Sequence, residues 1–188
     1  MKSTFVLLIA SACSLGAADT TVANLYDSQL KMAESEFVSL AKAMPESAYN
    51  FAPTKGAFEK ARTFGGQVKH VATVLFVVAA AAKEEAPPSN LGQGEDGPAD
   101  VKTKAEILEY LQSAFTYAHQ VLNTLTPENQ LNLVKSPFGG PDMARGIAAN
   151  LTIWHTFDHY GQMAVYARMN NVVPPASAPP PPAPATKK

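Results

Sequence analysis

Apolar residues return every three to four positions in four stretches of this chain, and polar segments bearing proline and glycine separate them. That period is the mark of amphipathic helices. The first stretch runs from about Thr20 to Ala43. Val22, Leu25, Leu30, Met32, Phe37, Leu40 and Ala41 form its stripe, and Pro45 stops it. The connection from Pro45 to Arg62 carries Pro53 and Gly56 and is too broken for a long helix. Thr63 is placed to cap a second helix over Phe64–Lys83. Its Val68–Val78 run would suit a buried strand by β-propensity, but its length and the alanines behind it predict a buried helix. Thr103 and Glu106 have capping-box spacing and start a third helix. Its core stripe is Ile107, Leu108, Leu111, Phe115, Ala118, Leu122 and Leu125. An irregular link, Leu131–Pro141, leads to Asp142, expected to cap the fourth helix or to sit in its first turn. That helix occupies most of Ile147–Pro175, with Asn170, Asn171 and Pro174 as stop signals. These elements predict an all-α fold, an antiparallel four-helix bundle whose connections are long enough for crossovers. The longest connection, Glu84–Asp100, is rich in proline and glycine; it reads either as a lid over a pocket or as a tolerated insertion.

The two ends have different patterns. Met1–Ala18 has one early lysine, a short apolar run over Phe5–Ala12 and small residues at Gly16–Ala18, which is the build of a cleaved secretory signal. The run is too short for a stable membrane span. Export to the periplasm or beyond is therefore expected. Cys13 is the only cysteine, so no intrachain disulfide can form. Lipid attachment at Cys13 is the weaker reading, because Ala10 stands where a lipobox has leucine. Residues 176–188 are a Pro-rich tail with nothing to bury, expected to be disordered or polyproline II. The bundle domain is thus 19–175. Without the signal, one lysine of the 15 basic residues is lost against 16 acidic ones, 14 − 16 = −2. That balance, with no basic patch, argues against nucleic acid as a partner.

Candidate chemistry lies in the fourth helix. His155 and His159 are four residues apart, which puts them on one helical face with Cβ atoms roughly 5–6 Å apart. The face extends forward to Gln162 and Tyr166 and back to Leu151 and Ile147, so it reads as the apolar stripe. In a bundle His70 of the second helix can face this pair. Three neutral imidazoles form an open ligand set for one divalent ion. Imidazole suits zinc, nickel, iron and copper, so donor type does not select the metal. The alternative is three core histidines, each merely hydrogen-bonded. His119 falls one step off the third helix's stripe and reads as a boundary residue.

The segment His155-Thr-Phe-Asp-His159-Tyr-Gly-Gln162, continuing to Pro174-Pro175, resembles the closing helix of the DinB-like (damage-inducible) superfamily. The earlier run Tyr49-Asn-Phe-Ala-Pro-Thr, followed by Thr63-Phe-Gly-Gly-Gln-Val-Lys-His70, is similar to the same family. The likeness spans about Leu25 to Pro175. It implies a four-helix bundle with a histidine triad for a divalent zinc, nickel or iron ion, and the triad falls on His70, His155 and His159. Relatives include thiol-dependent S-transferases and a mycothiol-dependent maleylpyruvate isomerase. Gly161 stands where sulfoxide-synthase relatives carry a glutamate, and export separates this chain from the cytosolic thiols the transferases use.

Two function classes follow. One is a metal-dependent hydrolase or thiol-dependent transferase acting on a small substrate, with an open coordination position and a pocket beside the triad. The other is a non-catalytic metal- or ligand-binding bundle, stress-related, with a closed site. Gln162 and Tyr166 are the candidate catalytic helpers, and Asp158 a candidate acceptor behind the ligands; each reads equally as a packing or solvated residue. Trp154 is expected to be a core or interface aromatic. The apolar Leu131–Phe138 link offers a surface for a homodimer.

Overall fold

The computed structural model describes residues 20–88 and 90–179. The signal segment, Cys13 and the tail beyond residue 179 lie outside the described residues. Four helices form: α1 Val22–Ala43, α2 Phe64–Lys83, α3 Lys104–Leu122 and α4 Arg145–Met169. The expected all-α bundle is present, with one addition. Leu133–Val134 pairs antiparallel with Met143–Ala144 as a two-residue ribbon ahead of α4.

Three of the helix starts follow the sequence signals. The side chains of Thr21, Thr63 and Thr103 each accept a hydrogen bond from a backbone N–H in the first turn, and Thr103 forms the full capping box with Glu106. The fourth start is different. Ala144 is the N-cap of α4, and Asp142 pairs with Lys135 instead of capping. The ribbon explains this correction. The backbone N–H groups of Arg145 and Gly146 donate to the carbonyls of Asn132 and Gln130, so main-chain acceptors satisfy the first orphan amides. At the far end, Asn170 is the C-cap and Asn171 takes a left-handed φ of 60°. A short 3-10 turn, Pro175–Ser177, then packs against α1, so packed chain continues just past Pro175.

Helices α1 and α2 each pack against both α3 and α4, which leaves α1 diagonal to α2 and α3 diagonal to α4. Side-chain partners give the directions. Near its start α2 meets the second half of α4 through Gln67 and Gln162, and just past its end Glu84 reaches Arg145 at the start of α4. Those two helices are antiparallel. Helices α1 and α3 are also antiparallel: Lys104 donates to the carbonyls of Lys42 and Met44, while His119 lies against Asp27. By contrast, α2 and α3 run parallel, with Gly65 beside Ile107 and Phe76 beside Tyr117. The antiparallel expectation therefore holds for two neighbouring pairs and fails for the other two: α1–α4, where Tyr26 lies beside Gly146 at the two helix starts, and α2–α3.

That parallel pair accounts for the long loop. Parallel neighbours cannot be joined by a tight turn. The chain must return along α2, whose 20 residues span about 30 Å. Segment 84–103 makes that return, so it is a strap rather than a lid. Its second half is fixed to α2: Lys69 Nζ donates to the Pro98 carbonyl at 2.7 Å, and Arg62 Nε to Asp96 at 2.9 Å. Gly97 is buried with φ +78°, and a Cβ there would lie 3.0 Å from Thr73 Oγ1.

The core is built on Phe37, Phe64, Phe76, Phe115, Leu75 and Leu111, all essentially inaccessible. Helix α2 is apolar all round, as a central helix should be. It has the length and hydropathy of a membrane span, but 78% of its most apolar window is buried inside the bundle. Two sequence expectations about stripes need correction. Leu25 and Met32 of α1 are exposed, and so is Ile147 of α4. The buried residues of α4 include His159 and Tyr166 of the expected stripe, together with Ala148, Thr152, Ile153, Thr156, Met163 and Ala167.

Candidate metal centre

His70 lies in the second turn of α2, and His155 and His159 lie one turn apart in α4. Because α2 and α4 are packed neighbours, the three rings converge. Centroids are 4.5 Å apart for His155–His159, 4.7 Å for His70–His159 and 5.1 Å for His70–His155. One nitrogen from each ring lies within 4.8 Å of the others, an arrangement that can hold a metal ion.

The electrostatics favour neutral rings. Burial pushes His155 down to about 4, and the neighbouring His70 and Arg62 push the same way against an opposing pull from Asp158. Burial pushes His159 down to about 3, reinforced by His155, His70 and Arg62. His70 is lowered as well, again chiefly by burial, against the hydrogen bond to the Glu95 carbonyl. At neutral pH each ring therefore keeps one lone pair.

Hydrogen bonds decide which nitrogen carries it. His70 Nδ1 lies 3.0 Å from the Glu95 carbonyl, which can only accept, so Nδ1 holds the proton and Nε2 the lone pair. His159 is fixed by a longer chain. The Asp158 carboxylate accepts from Gln162 Nε2 at 3.2 Å, and Gln162 Oε1 accepts from Gln67 Nε2 at 3.2 Å. Gln67 Oε1 then accepts from His159 Nδ1, leaving Nε2 of His159 as the free donor atom. A carboxylate that only accepts thus sets the orientation of two amides and one ring. The Nε2 of His155 is buried and has no hydrogen-bond partner. A buried polar atom left without a partner costs about 1–3 kcal/mol, and a cation at the centre of the triad would satisfy it. Three neutral imidazoles, two with fixed tautomers and one orphaned nitrogen, fit a divalent ion.

A cavity of about 440 Å³ opens beside His159. Its wall includes Pro53, Phe58, Val165, Tyr166 and Met169, and Lys60 and Arg62 supply charge. His159 and Gln162 also line it, so the triad borders an accessible space on one side.

The sequence model of the DinB superfamily matches residues 29–163. The chain belongs to the DinB superfamily. Solved structures of similar fold agree. A DinB-like protein from Bacillus cereus is 17% identical, with a TM-score of 0.62 over 80% of this chain and 93% of that one. A DinB-like protein from Bacillus subtilis is 17% identical, with a TM-score of 0.60 over 79% and 93%. A conserved protein from Enterococcus faecalis is 16% identical, with a TM-score of 0.63 over 80% and 97%. No curated protein matches the sequence.

Within this DinB bundle the predicted triad His70, His155 and His159 comes together, and His119 lies elsewhere, between α1 and α3. Gln162 joins the amide chain behind His159, and Asp158 anchors that chain from the surface. Tyr166 is buried, packs edge-on to Phe51 at 5.8 Å and forms part of the cavity wall. Trp154 is not a core residue: it is half exposed, with its ring 5.9 Å from His155. Three contributors escaped sequence reasoning, namely Gln67, Arg62 and the Glu95 carbonyl. Gln67 had a signal, since it precedes His70 by three residues and so shares its face. Arg62 and Glu95 lie in irregular connections that no periodicity describes.

Proposed function

We propose that this DinB-superfamily protein is an exported metal-dependent enzyme that acts on a small molecule, with hydrolysis as its reaction class. The observation that carries this reading is the convergence of three neutral imidazoles beside an open cavity. A closed storage or structural site would need a fourth ligand. Among the described residues, the cluster comprises His70, His155 and His159 and no cysteine or carboxylate. Hydrolysis is favoured over thiol transfer because export, read from Met1–Ala18, removes the protein from cytosolic thiols.

Roles follow from the geometry. His70, His155 and His159 would hold the ion. The Glu95 carbonyl and the Gln67–Gln162–Asp158 chain keep His70 and His159 in the tautomers that present Nε2. Tyr166, Phe58 and Val165 present apolar surface to a substrate in the cavity. A bound divalent ion supplies Lewis acidity where the triad meets that cavity.

The test is metal content of the purified protein, with wild type beside His155→Ala and circular dichroism as the fold check. About one equivalent in the wild type, lost in a folded His155→Ala, is the expected result. Metal-restored protein should then turn over members of a panel of small esters and amides, and chelated protein should not. No metal in either protein after reconstitution would remove the triad reading.

A further inference from the structure

The cavity beside His159 is chemically one-sided. Its wall is largely apolar, and among the described residues the only ionisable side chains on it besides His159 and Tyr166 are the cations Lys60 and Arg62. No carboxylate among the described residues lines it. Its volume of about 440 Å³ suits a small organic molecule. Arg62 shares the wall of this cavity with His159 of the triad. A group bound to Arg62 would therefore lie near the metal centre.

Arg62 already has an anionic partner. Its Nε donates to Asp96 of the strap at 2.9 Å, using one of the five N–H donors of a guanidinium. The Asp96 side chain is 77% exposed, and ion pairs that open to water are weak. Such a pair yields readily to a carboxylate that also brings an apolar body into the cavity.

We propose that the cavity binds small amphipathic carboxylates, with the anionic head on Arg62 and Lys60 and the apolar body against Phe58, Val165 and Met169. The inference rests on the reading of this cavity as the substrate side of the metal centre. Asp96 is then an internal competitor that holds Arg62 in place while the cavity is empty.

Octanoate is the probe, measured by calorimetry on the full chain in metal-loaded and chelated forms, beside octanol, octylamine and acetate. Octanoate should bind at least about tenfold tighter than each of the other three, a 1.4 kcal/mol difference. Arg62→Gln should lose that preference and Arg62→Lys should keep most of it, while Asp96→Asn should bind octanoate more tightly. Equal binding of octanoate and octanol by the wild type would overturn the proposal, and that comparison needs no variant to fold. Octanoate binding that requires metal and persists in Arg62→Gln would also overturn it, because the carboxylate would then be held by the ion. A carboxylate preference that depends on Arg62 in protein unable to hold metal would support the cavity assignment and overturn the enzyme reading instead.

Discussion

The four histidines of this chain stand in two clusters that do opposite things. Between α2 and α4, three imidazoles face one another with no carboxylate in the ligand set, and burial keeps them neutral. Between α1 and α3, His119 has a carboxylate at each ring nitrogen: Asp27 at 2.6 Å from Nδ1 and Glu34 at 3.1 Å from Nε2. A carboxylate oxygen thus occupies each ring nitrogen of His119, and neither nitrogen faces a shared ligand position. Asp27 is buried, which by itself would raise its carboxyl. Hydrogen bonds from Lys31 and His119, with their charges, outweigh this and hold it below its ordinary range. One residue type therefore yields a ligand set in one place and an ionic cross-link in the other. The partners at each ring nitrogen decide which.

This contrast can be broken from either side. The larger effect is expected at the cross-link. His119→Ala removes two charge-assisted hydrogen bonds and should lower stability by about 1.5–3 kcal/mol, read by denaturant unfolding, with metal content unchanged. Loss of metal in that variant would show that the two clusters are not independent. The reciprocal change is Gln67→Leu, which cuts the amide chain behind His159. It should weaken metal affinity roughly 10–100-fold in a competition titration against a chelator. Unchanged affinity would mean that the chain does not orient the ligand.

A third difference between the clusters is the pH window. His155 and His159 have folded-state values of about 4 and about 3, below the ordinary 6.5. The unfolded chain therefore binds more protons below pH 6.5, and stability of the metal-free protein should fall as pH drops from 6.5 towards 4. Asp27 is lowered from 3.8, so its contribution should persist through that range and be lost only at more acid pH. Unfolding of chelated wild type and His159→Gln at stepped pH checks this. The wild-type slope between pH 6.5 and 4 should shrink in the variant, and equal slopes would rule the triad out as its source.

Much of this was legible in the chain. The stripes of α1 to α4, the Thr63 cap and the Thr103–Glu106 box are local signals, and the helices start and stop close to where those signals lie. The pair His155 and His159 was legible for the same reason, since a four-residue spacing fixes a shared face whatever the rest of the fold does. Asp142 was misjudged as a cap because the backbone acceptors that replaced it, on Asn132 and Gln130, lie in the irregular chain just before a ribbon too short to leave a periodic trace. The sequence left Glu84–Asp100 open between a lid and a tolerated insertion, because loop length alone does not reveal that α2 and α3 are parallel.

Local periodicity and capping chemistry in the sequence determined four helices, their approximate limits, and which faces carry histidine. Tertiary structure decided which of those faces meet. The Glu95 carbonyl reaches His70 only because the strap returns along α2, and Gln67 touches Gln162 only because α2 and α4 are antiparallel neighbours. Hydrogen bonds between residues 25 to 95 positions apart carry no signature in the local pattern. They depend on distances set by packing, and packing also sets the burial that keeps the triad neutral.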